Sequence, residues 1–113
     1  MSEQPDSDGK EMEALLQTLW KQNYGVLQER LRLIRNAYDE LAAGSLDSQT
    51  RSEGEAAAHK LAGILGTFGL PQGSALASKI EVSLGSATAA EKSGAPQLQS
   101  WLEELEAIVA SRP

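Results

Sequence analysis

From Leu15 to Leu41 a series of apolar residues recurs mostly at steps of three and four: Leu15, Leu16, Leu19, Trp20, Leu27, Leu31, Ile34, Tyr38 and Leu41, with Asn23 at the one polar step. This is the period of a helix that buries one face, and it is incompatible with the alternation of a half-buried strand. The run is longer than an ordinary globular helix carries without interruption. Asn23–Gly25 is the place where the chain can break, which predicts a short N-terminal helix and a longer second one ending at Gly44, a residue suited to a C-terminal cap.

The same period returns three more times. Asp47 is the best N-cap of Ser45–Asp47 and starts a helix that runs to about Phe68, with Gly69 behind it. Pro71 opens the next, where its missing N–H is no loss, and Leu76, Ala77, Ile80 and Leu84 mark the buried face before Gly85. Residues 86–95 are small and polar and read as a loop. Pro96 begins the last helix, with an apolar stripe of Leu98, Trp101, Leu102, Leu105, Ile108 and Val109, and the final Ser-Arg-Pro is expected to fray. Residues 1–9 are polar, contain Pro5 and Gly9, and read as a disordered leader. The expected fold is all-α: one domain over residues 10–111, an antiparallel up-and-down four-helix bundle with a short extra N-terminal helix.

Composition removes several classes of function. At 113 residues with only 4% aromatics, the core has to be built from Leu and Ala. No cysteine is present, so disulfides and thiolate metal sites are excluded, in keeping with a reducing compartment. The N-terminal residues carry no apolar segment of signal-peptide type, and no apolar run is long enough to cross a bilayer; a cytoplasmic location is expected. The net charge of −6 and the lack of a basic stripe argue against a nucleic-acid partner. Arg30, Arg32 and Arg35 sit among Glu29, Asp39 and Glu40 and read as a solvated helix surface. Trp20, Tyr38, Phe68 and Trp101 read as packing residues.

His59 is the only histidine. On a helical projection Ala57, Ala58, Leu61, Ile64, Leu65 and Phe68 fall on one side, and His59 falls opposite them with Ala56, Ala62, Gly63 and Gly66. A glycine inside a helix costs about 0.8–1 kcal/mol relative to alanine. Two of them beside an outward imidazole make sense where a bulky partner must approach that ring. Neutral imidazole is a good nucleophile toward phosphorus, and histidine titrates at about pH 6–7, so the neutral form is abundant near neutrality. Glu81, on the following helix, is placed to accept the Nδ1–H and leave Nε2 free to attack. A single histidine without cysteine makes a metal site improbable, and no serine is evidently paired with His59 for a hydrolase triad.

The run AHKLAGILGTFGLPQGSALASKIE, Ala58 to Glu81, resembles the core of histidine-containing phosphotransfer (HPt) domains, most strongly those of bacterial phosphorelays and chemotaxis kinases. The family pattern is a phosphorylated His, a Gly four residues on, often further glycines at seven and ten, then an apolar helix ending in Leu/Ile-Glu. Here these positions hold His59, Gly63, Gly66, Gly69 and Ile80-Glu81. The helices upstream and downstream extend the resemblance to about residues 10–111. It implies a phosphoryl carrier rather than a kinase with its own ATP site: His59 accepts a phosphoryl group from a receiver aspartate or a kinase and passes it to a receiver. It implies no cofactor of the domain's own, with Mg²⁺ on the partner receiver. The partners implied are response-regulator receivers and/or a hybrid sensor histidine kinase, and a monomer is expected. The linker character of the leader fits a domain cut from a larger hybrid kinase or response regulator.

Partner docking is expected on Ala56, His59, Lys60, Ala62, Gly63, Gly66 and Thr67, with an adjoining stripe of the preceding helix. One departure stands out. The family commonly carries Lys three residues after the histidine, where this chain has Ala62. Lys60 points about 100° away and is no obvious substitute, although its long stem could reach round; Lys79 on the next helix is another candidate, and a cation gathered from the receiver a third. That departure favours the rival reading, a non-catalytic four-helix adaptor that binds a receiver without accepting phosphate. A third reading is the substrate domain of a kinase whose ATP chemistry lies elsewhere.

Overall fold

The computed structural model describes residues 5–87 and 94–112. Four α-helices make up the described residues, without a strand: α1 (Pro5–Ala43), α2 (Ser48–Thr67), α3 (Pro71–Gly85) and α4 (Ala95–Ser111). Local chemistry sets most of their ends. The Asp47 side chain accepts the Thr50 N–H at 2.7 Å and caps α2, and those hydrogen bonds hold its carboxyl below the usual Asp range. Pro71 and Pro96 stand in the first turns of α3 and α4. Gly44 and Gly69 end α1 and α2 at φ of 75° and 73°, a left-handed conformation that other residues rarely adopt.

α1 packs against α2 and α4, and α3 packs against the same two helices. The core lies between them. Leu27, Ile34 and Leu41 of α1, Leu61 and Leu65 of α2, Ile80 and Leu84 of α3, and Leu98, Leu102, Leu105 and Val109 of α4 are all fully buried. Each such side chain stabilises the fold by roughly 1.5–3 kcal/mol relative to exposure. No polar or charged residue among those described is buried with them. Two glycines make the close approach possible. A Cβ on Gly54 would stand 2.8 Å from the Ala37 Cβ and 3.1 Å from the Leu84 Cδ1, and one on Gly73 would stand 3.1 Å from the Leu65 Cδ1.

Several expectations need correcting. The break at Asn23–Gly25 is absent, so the short extra N-terminal helix does not exist as a separate element: α1 is one helix of 39 residues. A single glycine weakens a helix without breaking it. Here Trp20 and Leu27, on either side of Gly25, belong to the same core, and the Asn23 side chain bonds back to the Leu19 carbonyl. Residues 5–9, expected in the leader, are the first turns of α1; residues 1–4 lie outside the described residues, as does the body of the loop, 88–93. A 39-residue helix is about 58 Å long, against about 23–30 Å for the other three. The start of α1 therefore outruns its partners, and Leu15 and Leu19 of the expected stripe are exposed, as is Met12 before it.

The chain's end also differs from expectation. The Arg112 guanidinium lies over the rings of Trp20 and Phe68, at 5.2 and 5.6 Å from their centroids, and the two rings meet edge-on at 5.1 Å. This cation–aromatic stack holds a terminus that composition alone marks for fraying. The arginines of α1 are not uniformly solvated either. Arg32 pairs with Glu29 on the surface, but Arg35 reaches across to Glu106 of α4 at 2.7 Å, and the Arg30 Nε is buried with no hydrogen-bond partner among the described residues.

Candidate functional site

Burial of Ala57, Ala58, Leu61 and Leu65 fixes which way α2 faces. The opposite side is thereby turned outward, and His59 stands on it with 73% of its side chain exposed. On α3 the burial of Leu76, Ala77, Ile80 and Leu84 does the same for Glu81, which sits one residue beyond Ile80. The two outward edges meet: His59 Nδ1 and Glu81 Oε2 are 2.9 Å apart. A carboxylate only accepts, so the imidazole donates its Nδ1–H, and the neutral tautomer carries its lone pair on Nε2. With Nδ1 at the carboxylate, the nitrogen without a proton is the one on the ring's other edge.

The helices that carry these two side chains are tied together beneath them. The Ser74 hydroxyl of α3 donates to the Ala62 carbonyl of α2 at 2.8 Å. Near the end of α3, Gly85 leaves room for Glu55: a Cβ there would lie 2.8 Å from the Glu55 Oε2. Glu55 in turn receives Arg51 at 3.1 Å. Glu55, Ala56, His59, Lys60 and Glu81 together line a shallow surface cleft of about 350 Å³.

The remaining residues singled out from the sequence divide. Ala56, Lys60, Gly63, Gly66 and Thr67 are exposed on the His59 side. A Cβ on Gly63 would meet nothing within 4 Å, and one on Gly66 would meet only the Ser74 Oγ, at an ordinary 3.6 Å. Nothing among the described residues requires glycine at either position. Thr67 turns its hydroxyl back onto the Gly63 carbonyl at 3.1 Å. Ala62 is the exception: it is half-buried against the core, because it lies on the flank of α2 that faces α3, where its carbonyl accepts the Ser74 hydroxyl. Sequence reasoning passed over Glu55 and Ser74. Glu55 precedes His59 by four residues, a helical spacing that could have raised it; Ser74 carries no such signal.

A family model described as the Hpt domain matches residues 10–111. The chain belongs to the Hpt domain family. No curated protein and no solved structure matches it. Hpt domains are the histidine phosphotransfer modules of phosphorelays and work with receiver domains and histidine kinases. The four helices and the strand-free architecture of the described residues agree with an all-α Hpt fold, and no helix among them is long and apolar enough to cross a membrane.

Proposed function

We propose that His59 is the phosphoacceptor of this Hpt domain and that Glu81 orients it. One observation carries this: the chain's only histidine is exposed, with Nδ1 held by a carboxylate at 2.9 Å and Nε2 unencumbered. In the proposed reaction, Nε2 attacks the phosphorus of a receiver's aspartyl phosphate. The N–P bond forms as the P–O bond of the acyl phosphate breaks, and the aspartate leaves as a carboxylate. The Nδ1 proton stays on the ring, which gains positive charge, and the Glu81 carboxylate balances that charge across the existing hydrogen bond. The return step, to a second receiver, reverses these bonds. A kinase can feed the same nitrogen.

The docking face for the receiver comprises Ala56, Lys60, Gly63, Gly66 and Thr67 around His59, with the edge of Ala62 and an adjoining stripe of α1. The absence of side chains at Gly63 and Gly66 lets a receiver bring its phosphorylated aspartate down to the ring. Mg²⁺ is carried by the receiver, and the domain acts as a carrier with no ATP site. The short connections between the helices support an antiparallel up-and-down arrangement. A cytoplasmic monomer fits the charge and the lack of a spanning helix.

The test is incubation with a purified receiver domain, charged with acetyl phosphate in the presence of Mg²⁺. The expected product is acid-labile, base-stable phosphate on the wild-type chain and none on His59→Gln. Receiver binding without any label on the wild type would replace the carrier with the adaptor reading.

A further inference from the structure

The cleft around His59 has an unbalanced charge once a phosphoryl group arrives. Its lining holds two carboxylates, Glu55 and Glu81, and one lysine, Lys60. Glu81 is engaged with the imidazole and Glu55 with Arg51. A phosphoryl group on Nε2 brings up to two negative charges into the cleft that both acids line. Within one cleft like charges repel appreciably unless a cation is drawn in.

The structure separates the cations within reach of the problem. Arg51 is committed to Glu55. Lys79 stands on the other side of α3: its Nζ lies 6.0 Å from the centroid of the Trp101 ring, in a groove with Ser78, Val82 and Ser83 rather than in the His59 cleft. Lys60 is exposed and, among the described residues, makes no ion pair. Its position follows from helix geometry. It comes one residue after His59, so it projects about 100° further round α2. The side facing α3 is marked by Ala62, whose carbonyl takes the Ser74 bond, and by Glu55 against Gly85; Lys60 emerges on the other side. The His59–Glu81 bond turns Nδ1 toward α3 and therefore Nε2 away from it, toward the flank that Lys60 occupies.

Building on the assignment of His59 as phosphoacceptor, we infer that Lys60 is the residue of this chain that contacts the phosphoryl group on Nε2, its ammonium bonding a phosphoryl oxygen and offsetting the charge that this group brings beside the two carboxylates of the cleft. It does no bond-making of its own. Its flexible stem lets the ammonium follow the group as the N–P bond forms and breaks. Its ion pair with the phosphoryl oxygen strengthens as that oxygen's charge is withdrawn from water by the docked partner.

The experiment uses the full chain and potassium phosphoramidate, a small donor that needs no receiver, with ³¹P NMR as the readout. Wild type, Lys60→Ala, Lys60→Arg and Lys79→Ala are loaded in parallel, and circular dichroism checks their folding. Lys60→Ala is expected to load about 3- to 10-fold more slowly than wild type. Its phosphohistidine resonance should titrate at a higher pH midpoint, because a nearby cation favours the dianion. Lys60→Arg should restore both, and Lys79→Ala should match wild type. An unchanged midpoint and loading rate in Lys60→Ala, with the wild type labelled on His59, overturn the role of Lys60 alone. A wild type that takes no label on His59 overturns the phosphoacceptor assignment and this inference with it.

Discussion

The two long sides of α2 carry glycines for opposite reasons. Gly54 faces inward, and the atoms of Ala37 and Leu84 already occupy the space its Cβ would need. Gly63 faces outward, and no atom of the described residues comes within 4 Å of where its Cβ would be. The first glycine serves the fold: it lets α1 and α3 close on α2. The second costs helix stability and returns no packing inside the molecule. A residue type that looks uniform along the sequence thus divides into one set that answers to this chain's own core and another that the core does not explain. His59 stands on the second side, and so does every exposed member of its proposed docking face.

Placing leucine at both positions is the direct way to break this contrast. At Gly54 the first carbon already collides, and the rest of the side chain would have to enter a filled core. The expected loss is about 3 kcal/mol or more, read as a lower midpoint in urea unfolding. At Gly63 the same substitution should leave stability equal or raise it by up to about 1 kcal/mol, since leucine is the better helix former. Its effect should fall on exchange with a charged receiver, slowed about 100-fold by displacement of the reacting atoms, while loading by phosphoramidate changes little. A Gly63→Leu chain that unfolds, or a Gly54→Leu chain as stable as wild type, would show that the inward and outward sides of α2 have been exchanged.

The smallest effect is expected at the start of α2, which belongs to neither side. The Asp47 carboxylate, lowered in its titration by the Thr50 N–H bond, favours the folded state when ionised. Its contribution is complete above the range where an unfolded Asp titrates, roughly pH 4, and fades as pH falls through the lower folded value. Asp47→Ala should therefore lower the melting temperature slightly at neutral pH. The difference from wild type should shrink in acid, with receiver exchange unaffected throughout.

Periodicity made the helical segments readable because each one buries a single face, and Leu61, Leu65, Ile80 and Leu84 had no alternative place to go. Caps were readable for a similar reason: Asp47, Pro71 and Gly69 satisfy local backbone needs that do not depend on the rest of the fold. The pairing of His59 with Glu81 was also foreseeable, since each residue lies beside a buried position on its own helix. The N-terminal region was not. The stripe from Leu15 to Leu41 has one period throughout, but only the part opposite other helices is covered, so Leu15 and Leu19 remain exposed. Whether Gly25 interrupts α1 likewise depends on the packing to either side of it. Arg112 looked like a fraying terminus because its aromatic partners, Trp20 and Phe68, are far away in sequence.

By itself the sequence determined where the helices form, which face of each is buried, and that one imidazole is left outside amid small residues. Those properties are set by neighbours within a few positions, where backbone geometry is nearly fixed. Tertiary structure alone decided that α1 runs unbroken, that Arg51 is tied up with Glu55 while Lys60 makes no ion pair among the described residues, and that Gly54 borders filled space and Gly63 open space. Each of these depends on atoms that different helices bring together, and only packing determines whether the space beside a residue is filled.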